Sequence, residues 1–416
     1  MEQQNKIRVE VKYLFKVIPI LILIHTPFGL KFFDWAAGTK AAKIYAKSNR
    51  YLMPLITALM LFLLIASLMV MLSHPAIRET SRDLGPRSLL LIPGVNPYLP
   101  WTYALISLVI TIIIHEAGHG IVARVYNVKI ETTGIVLFFI VPIGAFVNIE
   151  QKELEKTPLK YKSSILTAGV LNNMIFAGIS FFGLYLVVSS LYPLPVSGGQ
   201  EIGVSINGVN KGSLAEKIGL TEGSVIQTIS NHALRGNEEL RKILQSNLGK
   251  TIEMTWYDKD KNIKGKNITL PLSVDSNKGI LGVTLNMSDP RTVDPKLALD
   301  SYKNAFGTNP LSVLVPPTLP QGSILPYSGL MADKYDSSIF GKSFPIVANM
   351  LFWLWFINFN VAVFNALPIG PLDGGQLYGS FIASRTKEKT GIAISNIITY
   401  IMVLIIFMSI LLPYIL

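Results

Sequence analysis

An H-E-x-x-H pattern, His115-Glu116-Ala117-Gly118-His119, lies at the end of an apolar run that begins near Tyr103. On a helix, the two histidines share one face, where they can bind one Zn²⁺. The glutamate between them is placed to take a proton from a water molecule at that metal. Ionisable residues are costly in an apolar membrane segment and indicate a functional site there, although buried polar residues packed between helices are the alternative.

A catalytic zinc usually has three protein ligands and one open position, so a third donor is required. The chain has no cysteine, and the histidines outside the motif lie in separate parts of the sequence: His25, His74 and His232. A carboxylate is then the natural ligand. Asp373 is the only acidic residue between Phe340 and Arg385, and we predict that it completes the site. The alternative is a turn or helix-cap residue, since Asp-Gly is a common turn pair.

The composition is that of a membrane protein. Half of the 416 residues are hydrophobic and only 15% are charged. Four runs are long enough to span a bilayer as helices and a fifth closes the chain: Leu52–Leu72, Trp101–Val125, Ile165–Leu191, Ile346–Leu367 and Ile392–Leu412. The net charge is +11, but the lysines and arginines do not cluster on a basic face interleaved with aromatic residues. The sequence therefore argues against a nucleic-acid partner. Positive loops beside membrane helices explain the net charge more simply.

The segment before the first clear span is ambiguous. Val17–Leu30 is apolar but contains Pro19, Pro27 and Gly29. We expect an interfacial segment here, and a short sixth span is the alternative. The first apolar stretch is followed by no small-residue cleavage site, so a cleavable signal peptide is not expected.

The placement of lysine and arginine predicts the orientation in the cell membrane. Basic residues precede the first span, and Lys152–Lys162 and Arg385–Lys389 are two further basic segments. Five spans in order put all three on one side, predicted to be the cytoplasm. The H-E-x-x-H motif then lies near the cytoplasmic end of its helix. The long polar segment from Pro193 to about Pro345 is predicted to lie outside.

A second element is predicted beside the motif. Val128–Ile149 is apolar, rich in β-branched and aromatic residues, and interrupted by Gly134, Pro142 and Gly144. It is too short and interrupted for a spanning helix and favours a β-hairpin that enters the membrane. Such backbone is tolerated only where it packs against protein or lines a wet cavity. Because it follows the motif helix directly, we expect it to border the active site.

The polar insert changes character between Gly203 and Val283, with short alternating strands, turn glycines and an amphipathic helix over Asn237–Leu248. The runs Ser213–Leu220 and Gly223–Ile229 resemble the PDZ family. This resemblance implies that an extended peptide tail adds to a sheet edge and that backbone N–H groups bind its carboxylate. The alternative is a steric filter that binds no free terminus. The candidate carboxylate loops are Ile202-Gly203-Val204 and Leu281-Gly282-Val283.

Two motifs resemble the signatures of the site-2 protease family: His115-Glu116-x-x-His119, and Asn365-x-x-Pro368-x-x-x-x-Asp373-Gly374. Between them, Ala168-Gly169-Val170-Leu171-Asn172-Asn173 resembles the A-G-P-x-x-N element of the family and departs from it at Val170. Asn173 matches the asparagine of that element. With the PDZ-like insert, the resemblance covers about residues 50–416 and leaves the N-terminal fifty uncovered.

The resemblance implies peptide hydrolysis inside the membrane, as in regulated intramembrane proteolysis. Zn²⁺ on His115, His119 and Asp373 would activate a water molecule and polarise the scissile carbonyl group. Glu116 would take the proton and pass it to the leaving amine. The amides of two asparagines are candidate donors to the substrate strand or the oxyanion: Asn173 and Asn365.

The expected fold is therefore a polytopic α-helical membrane protein of five or six spans, with a membrane-embedded β-hairpin and an inserted α+β PDZ-like domain. The expected segments are an interfacial or short membrane segment (1–50), the first membrane part with the motif and hairpin (51–192), the PDZ-like domain (200–285), an irregular linker (286–345) and the second membrane part (346–416).

The implied substrates are single-span membrane proteins within the lipid bilayer. Their helices must unwind, and an edge of the hairpin can pair with the freed backbone. A rival function is a non-proteolytic membrane scaffold or receptor with a structural zinc, which would need four protein ligands. A secondary transporter is a weaker rival, because the sequence shows no inverted repeats.

Overall fold

The computed structural model describes residues 7–14, 18–27, 29–138, 141–194, 203–234, 236–260, 262–272, 279–286, 289, 292–309 and 313–415. The chain divides into two compact units, Met1–Phe182 with Met350–Leu416, and Gly183–Asn349.

The α-helices are, in chain order, α1 (Leu30–Gly38), α2 (Lys40–Asn49), α3 (Met53–Ser73), α4 (Pro75–Leu84), α5 (Trp101–Val125), α6 (Gln151–Lys156), α7 (Leu159–Ser189), α8 (Leu214–Ile218), α9 (Asn237–Ser246), α10 (Pro295–Thr308), α11 (Gly329–Ala332), α12 (Phe344–Asn365), α13 (Asp373–Ala383) and α14 (Glu388–Ile415). The strands are β1 (Arg8–Leu14), β2 (Ile18–Thr26), β3 (Ile130–Phe138), β4 (Val141–Ile149), β5 (Leu191–Pro193), β6 (Val204–Val209), β7 (Val225–Ile229), β8 (His232–Ala233), β9 (Thr251–Tyr257), β10 (Ile263–Thr269), β11 (Val283–Leu285) and β12 (Tyr335–Ser337).

Among the described residues, five helices are long and apolar enough to cross a membrane: α3, α5, α7, α12 with the residues from Gly341 onwards, and α14. They coincide with the five predicted runs, although α7 begins earlier than predicted, at Leu159. Large apolar side chains on α14, such as Ile401 and Phe407, are exposed in the isolated chain. Lipid must cover a surface of this kind, so the chain is a multi-pass membrane protein.

A four-stranded antiparallel sheet belongs to the first unit, in the order β1-β2-β3-β4. The expected hairpin is formed by β3 and β4, with Thr133 opposite Val147. Strand β4 is an edge of the sheet and lies beside α5, where a Cβ atom built on Gly144 would be 3.4 Å from Ile112 Cδ1. The depth of the hairpin in the membrane remains a prediction.

The N-terminal segment forms strands. The alternative of a short sixth helical span is wrong, because most of that segment, Ile18–Thr26, is β2 and pairs with both β1 and β3. Its isoleucines favour an extended backbone. Its partner in β3 is far away in sequence, as the 107-residue separation between His25 and Thr132 shows. Val17 and Phe28 lie outside the described residues, and interfacial placement remains a prediction.

The second unit contains a six-stranded sheet in the order β10-β9-β7-β6-β11, with β8 paired to β7. Its core includes Ile226, Met254 and Trp256, and α9 buries Leu240 and Leu244 against it. Apolar residues four apart put both leucines on one face of α9. The PDZ resemblance of this α+β arrangement remains a prediction.

The expected irregular linker at 286–345 is wrong, because this segment contains α10, α11 and β12. Asp294 caps α10 by accepting hydrogen bonds from the N–H groups of Lys296 and Leu297, at 2.8 and 3.0 Å. The hydroxyl oxygens of Tyr302 and Tyr327 lie 3.0 Å apart, and burial raises the pKa of both phenols. Within this segment, α10 begins with Pro295, in the first helical turn, where proline is favoured.

Candidate metal centre and catalytic base

The H-E-x-x-H motif lies in the second half of α5, which begins directly after Pro100. His115 and His119 are 9% and 8% exposed, so the surrounding helices shield both imidazoles from solvent. One helical turn separates the two residues, and their Nε2 atoms approach to 3.0 Å. The predicted pairing of the two histidines on one helix face is present.

Asp373, the predicted third ligand, is the first residue of α13. Its Oδ2 atom lies 3.1 Å from His115 Nε2 and 3.3 Å from His119 Nε2. The two glycines that follow allow the preceding loop to fold back onto the helix start. A Cβ atom on Gly374 would be 2.2 Å from the carbonyl oxygen of Ala366, so a larger residue would displace this turn.

These three side chains fit a zinc ion. Burial alone would raise the pKa of the Asp373 carboxyl, but the neighbouring imidazoles of His119 and His115 hold it below its usual range. Oδ2 is buried and accepts no hydrogen bond from the described residues. Ligands at about 2.0–2.1 Å from a tetrahedral zinc lie roughly 3.3 Å apart. The observed donor triangle, with sides of 3.0, 3.1 and 3.3 Å, is close to that size.

The outer nitrogens of the two imidazoles are also engaged. His119 Nδ1 lies 2.8 Å from the carbonyl oxygen of Ile165, to which it can only donate. Its Nε2 therefore keeps a lone pair directed at the cluster, as a metal ligand requires. His115 Nδ1 lies 3.1 Å from the Asn173 amide, whose Oδ1 is buried without a partner among the described residues. With the amide rotated so that Oδ1 accepts the Nδ1 proton, His115 has the same tautomer.

Asn173 is therefore placed behind a predicted metal ligand. Its side chain is 0% exposed and contacts His115, whereas the sequence predicted a donor to the substrate or the oxyanion. A partner at the outer nitrogen of a ligating histidine fixes the ring orientation and raises its basicity. Asn365, the other predicted donor, is the last residue of α12 and is partly exposed. Its role remains a prediction.

Two glycines allow α5 and α7 to approach closely. A Cβ atom on Gly118 would be 2.6 Å from the carbonyl oxygen of Ala168, and one on Gly169 would be 2.4 Å from His119 Nε2. Any side chain at Gly169 would thus occupy the candidate metal site itself. Sequence reasoning used this segment only for Asn173 and missed Gly169, although the Ala168-Gly169 pair was the available signal.

Glu116 is fixed between α5 and the hairpin. Its Oε2 atom accepts a hydrogen bond of 2.8 Å from the backbone N–H of Val147 in β4. The side chain is only partly buried, unlike the two histidines beside it. The hairpin therefore borders the site, as expected, and orients the predicted base. Sequence reasoning missed Val147 because its contribution is a backbone group.

A hydrogen-bonded chain connects the site to α2. The Tyr45 hydroxyl donates to Asn172 Oδ1 at 2.7 Å, and Asn172 Nδ2 donates to the carbonyl oxygen of Ile114 at 3.1 Å. These contacts join α2, α7 and the residue that precedes His115. No local pattern distinguished Tyr45 from the other tyrosines.

The second unit has a separate candidate site, a groove of about 350 Å³ between α9 and the edge strand β11. Leu240, Leu244 and Leu285 supply apolar lining. Of the two candidate carboxylate loops, Leu281-Gly282-Val283 lines this groove. Ile202 of the other loop lies outside the described residues.

Comparison with known proteins shows similarity across most of the chain. The model of the family described as peptidase family M50 matches residues 103–409. The chain is 25% identical over 299 residues to an uncharacterised protein of Methanocaldococcus jannaschii, over 72% of this chain and 62% of that protein. It therefore spans less than two thirds of the length of this relative.

Two other relatives carry descriptive names. The chain is 25% identical over 317 residues to the "Putative zinc metalloprotease" of Helicobacter pylori, covering 66% of this chain and 87% of that protein. It is 28% identical over 159 residues to the "Membrane-bound transcription factor site-2 protease homolog" of Arabidopsis thaliana, covering 37% and 30%.

We expect Gly169→Ala to lower zinc affinity at least about tenfold, because the added carbon would displace the ligand imidazoles. Gly178→Ala on the same helix is the matched control, since its Cβ atom would meet nothing within 4 Å. Zinc content and the thermal unfolding midpoint of the full-length protein are the measurements. Equal zinc content in the two folded variants would contradict the placement of Gly169 against the ligands.

Asn173→Leu should weaken zinc binding about 10- to 100-fold, because His115 Nδ1 loses its partner. Asn173→Asp keeps an acceptor at the same place and should restore much of the loss. Competition with a zinc chelator measures both affinities. The assigned positioning role is refuted if the aspartate variant binds zinc no better than the leucine variant.

Proposed function

The chain belongs to peptidase family M50, and from that membership we propose that it is an intramembrane zinc metalloprotease. It would hydrolyse peptide bonds within the transmembrane segments of other membrane proteins. The observation that carries the proposal is the buried triangle of His115, His119 and Asp373 donor atoms within the helical membrane unit. Glu116, between the two histidines in sequence, supplies a carboxylate held at a fixed position.

In the proposed reaction, Glu116 is the proton carrier. When bound by His115, His119 and Asp373, Zn²⁺ would lower the pKa of a water molecule and polarise the scissile carbonyl group. The Val147 N–H occupies Glu116 Oε2, so Oε1 takes the proton from the water molecule and later delivers it to the leaving amine. Because the carboxylate is already held in one orientation, less conformational entropy is lost when it is positioned for proton transfer.

We further propose that the substrate pairs with the outer edge of β4. The other edge of this strand is occupied by β3, whereas the Val147 N–H points away from β3 towards Glu116. Backbone groups two residues apart point to the same edge of a strand, so Ala145 offers its N–H and C=O beside the base. A substrate strand placed there would have its unwound backbone hydrogen-bonded close to the catalytic carboxylate.

The donor set favours a catalytic zinc over the structural zinc of a scaffold protein. A structural site is closed by four protein ligands. Among the described residues, the cluster of histidine and carboxylate donors that can hold a metal has three members. The position left open, next to Glu116, is the one that a hydrolytic water molecule requires.

Several further properties are proposals from the sequence pattern. The substrates are single-span membrane proteins, and the enzyme lies in the cell membrane with its metal site towards the cytoplasm and the second unit outside. The basic segments between spans support this orientation. The second unit, which joins the third and fourth spans along the chain, would control access by excluding substrates with bulky outer domains. Capture of a substrate terminus in the groove between α9 and β11 is the alternative mode.

Glu116→Gln should reduce cleavage of a single-span substrate at least about 100-fold while zinc remains bound, because the base is not a ligand. Glu131→Gln is the matched control, since Glu131 is also a hairpin-bound carboxylate, bonded to Asn148, and is not a ligand. Cleavage in detergent and zinc content are measured for both variants. A wild-type rate in Glu116→Gln would exclude Glu116 as the base.

Replacement of Val204–Leu285 by a flexible linker should let the enzyme cut substrates whose outer domains have not been trimmed, because the steric filter is lost. The assay compares untrimmed and trimmed versions of one substrate at equal zinc content. Cleavage that is unchanged for both versions would exclude a gating role for this segment.

A groove variant distinguishes filtering from capture. Gln245→Trp would fill the groove from its exposed α9 rim, whereas Lys242→Trp adds the same bulk to α9 outside the groove lining. Filtering predicts equal activity of both variants on the trimmed substrate. A loss confined to Gln245→Trp would instead establish capture.

A further inference from the structure

The membrane unit contains a second cavity that the proposed hydrolysis does not use. It has a volume of about 410 Å³ and lies where α3 and α7 begin, beside α13. Its apolar walls include Pro54, Leu159, Leu377 and Phe381. Nine residues line it, and none of them is acidic.

Cations surround this apolar cavity. Arg50 and Lys160 are part of its lining, and the Arg385 guanidinium lies 4.2 Å from the ring centroid of Phe381. Arg50 Nε donates to the carbonyl oxygen of Lys47 at 2.8 Å, which fixes the guanidinium at the rim. Within the described part of the chain, none of these three cations forms an ion pair with a carboxylate. The rim is therefore positively charged, and its cations contact aromatic rings rather than carboxylates among the described residues.

The position along the spans indicates which ligand can reach the cavity. Pro54 is at the start of α3 and Leu159 is the first residue of α7, and both helices are candidate spans. The ends of membrane helices lie near the lipid headgroups. An apolar cavity at this level excludes water and accepts hydrocarbon. Basic pockets between membrane helices attract anionic headgroups at about 1 kcal/mol for each lysine or arginine.

We propose that this cavity binds one anionic phospholipid. Its acyl chain packs against Pro54, Leu377 and Phe381, and its phosphate accepts hydrogen bonds from Arg50 and Lys160. An arginine fork and an ammonium group together match the oxygens of a phosphodiester. A zwitterionic lipid offers the same phosphate, but its choline group repels the cationic rim.

The bound lipid would support the segment that supplies Asp373. The Tyr378 hydroxyl donates to Thr57 Oγ1 at 2.8 Å, and Thr57 Oγ1 donates to the carbonyl oxygen of Ala366 at 2.7 Å. These bonds join α13 to α3 and to the turn that follows α12. Lipid packed against Leu377, on the helix that begins with Asp373, would resist displacement of that helix. The lipid is thus expected to raise the unfolding temperature.

Native mass spectrometry of the full-length protein tests this site, with phosphatidylglycerol and phosphatidylcholine as the probes. We expect one retained phosphatidylglycerol per chain. Arg50→Gln with Lys160→Gln should weaken its binding about thirtyfold, since two cations are removed. Lys387→Gln with Lys389→Gln is the matched control, because it removes the same charge at exposed residues that do not line the cavity.

Zinc content and the unfolding midpoint establish that each variant is folded. Lys160→Gln alone, at an exposed residue, replaces the double variant if that variant does not fold, with an expected loss of about fivefold. Equal phosphatidylglycerol affinity in cavity and control variants would overturn the proposal, as would equal retention of the two lipids by the wild type. Displacement of the lipid by inorganic phosphate would also overturn it, because the acyl chain would then contribute nothing.

Discussion

The crowding of three electron-pair donors in a shielded space is the constraint on which the membrane unit depends. His115, His119 and Asp373 bring donor atoms within 3.3 Å of one another, and Asp373 Oδ2 accepts no hydrogen bond from the described residues. Lone pairs at these distances repel unless a proton or a metal ion lies between them. The absence of side chains at Gly118 and Gly169 makes the approach of α5 and α7 possible. A zinc ion would compensate the cost of this arrangement by linking α5 to α13.

The same motif connects the candidate metal site to the sheet. Glu116 faces the edge strand β4 and accepts a hydrogen bond from the Val147 N–H, so one hydrogen bond sets both the position of the proposed base and its distance from the strand. Because Glu116 is hydrogen-bonded to the strand proposed to bind the substrate, its carboxylate would move together with that strand. In the proposed mechanism, the hairpin restrains the carboxylate, which a flexible loop at this position would leave free to move.

The family, the enzyme class and the membrane helices could be predicted, because short motifs and apolar runs in the sequence indicate them. The family resemblance and the class of zinc metalloprotease are confirmed by the M50 match and the named relatives, and the five apolar runs are helices. The approach of Asp373 to the two histidines was predicted from the donor count and the family motifs, but other contacts distant in sequence carry no such signal: β2 pairs with β3, and His119 bonds to Ile165, 46 residues away. Helix α10 and the buried Tyr302 and Tyr327 in 286–345 likewise depend on tertiary packing, which no local pattern indicates. The membrane depth of the hairpin, the PDZ assignment and the role of Asn365 stay predictions.

The central claim is that His115, His119 and Asp373 hold one zinc ion with a position left open. Zinc-edge X-ray absorption of the purified full-length protein, compared with Asp373→Ala, tests it most directly. The account predicts two imidazole nitrogens at about 2.0–2.1 Å and oxygen ligands at about 2.0–2.2 Å, one from protein and one exchangeable with solvent. Removal of Asp373 should eliminate the protein oxygen and lower zinc occupancy. A closed site of four protein ligands, or a coordination shell unchanged in Asp373→Ala, would contradict the account.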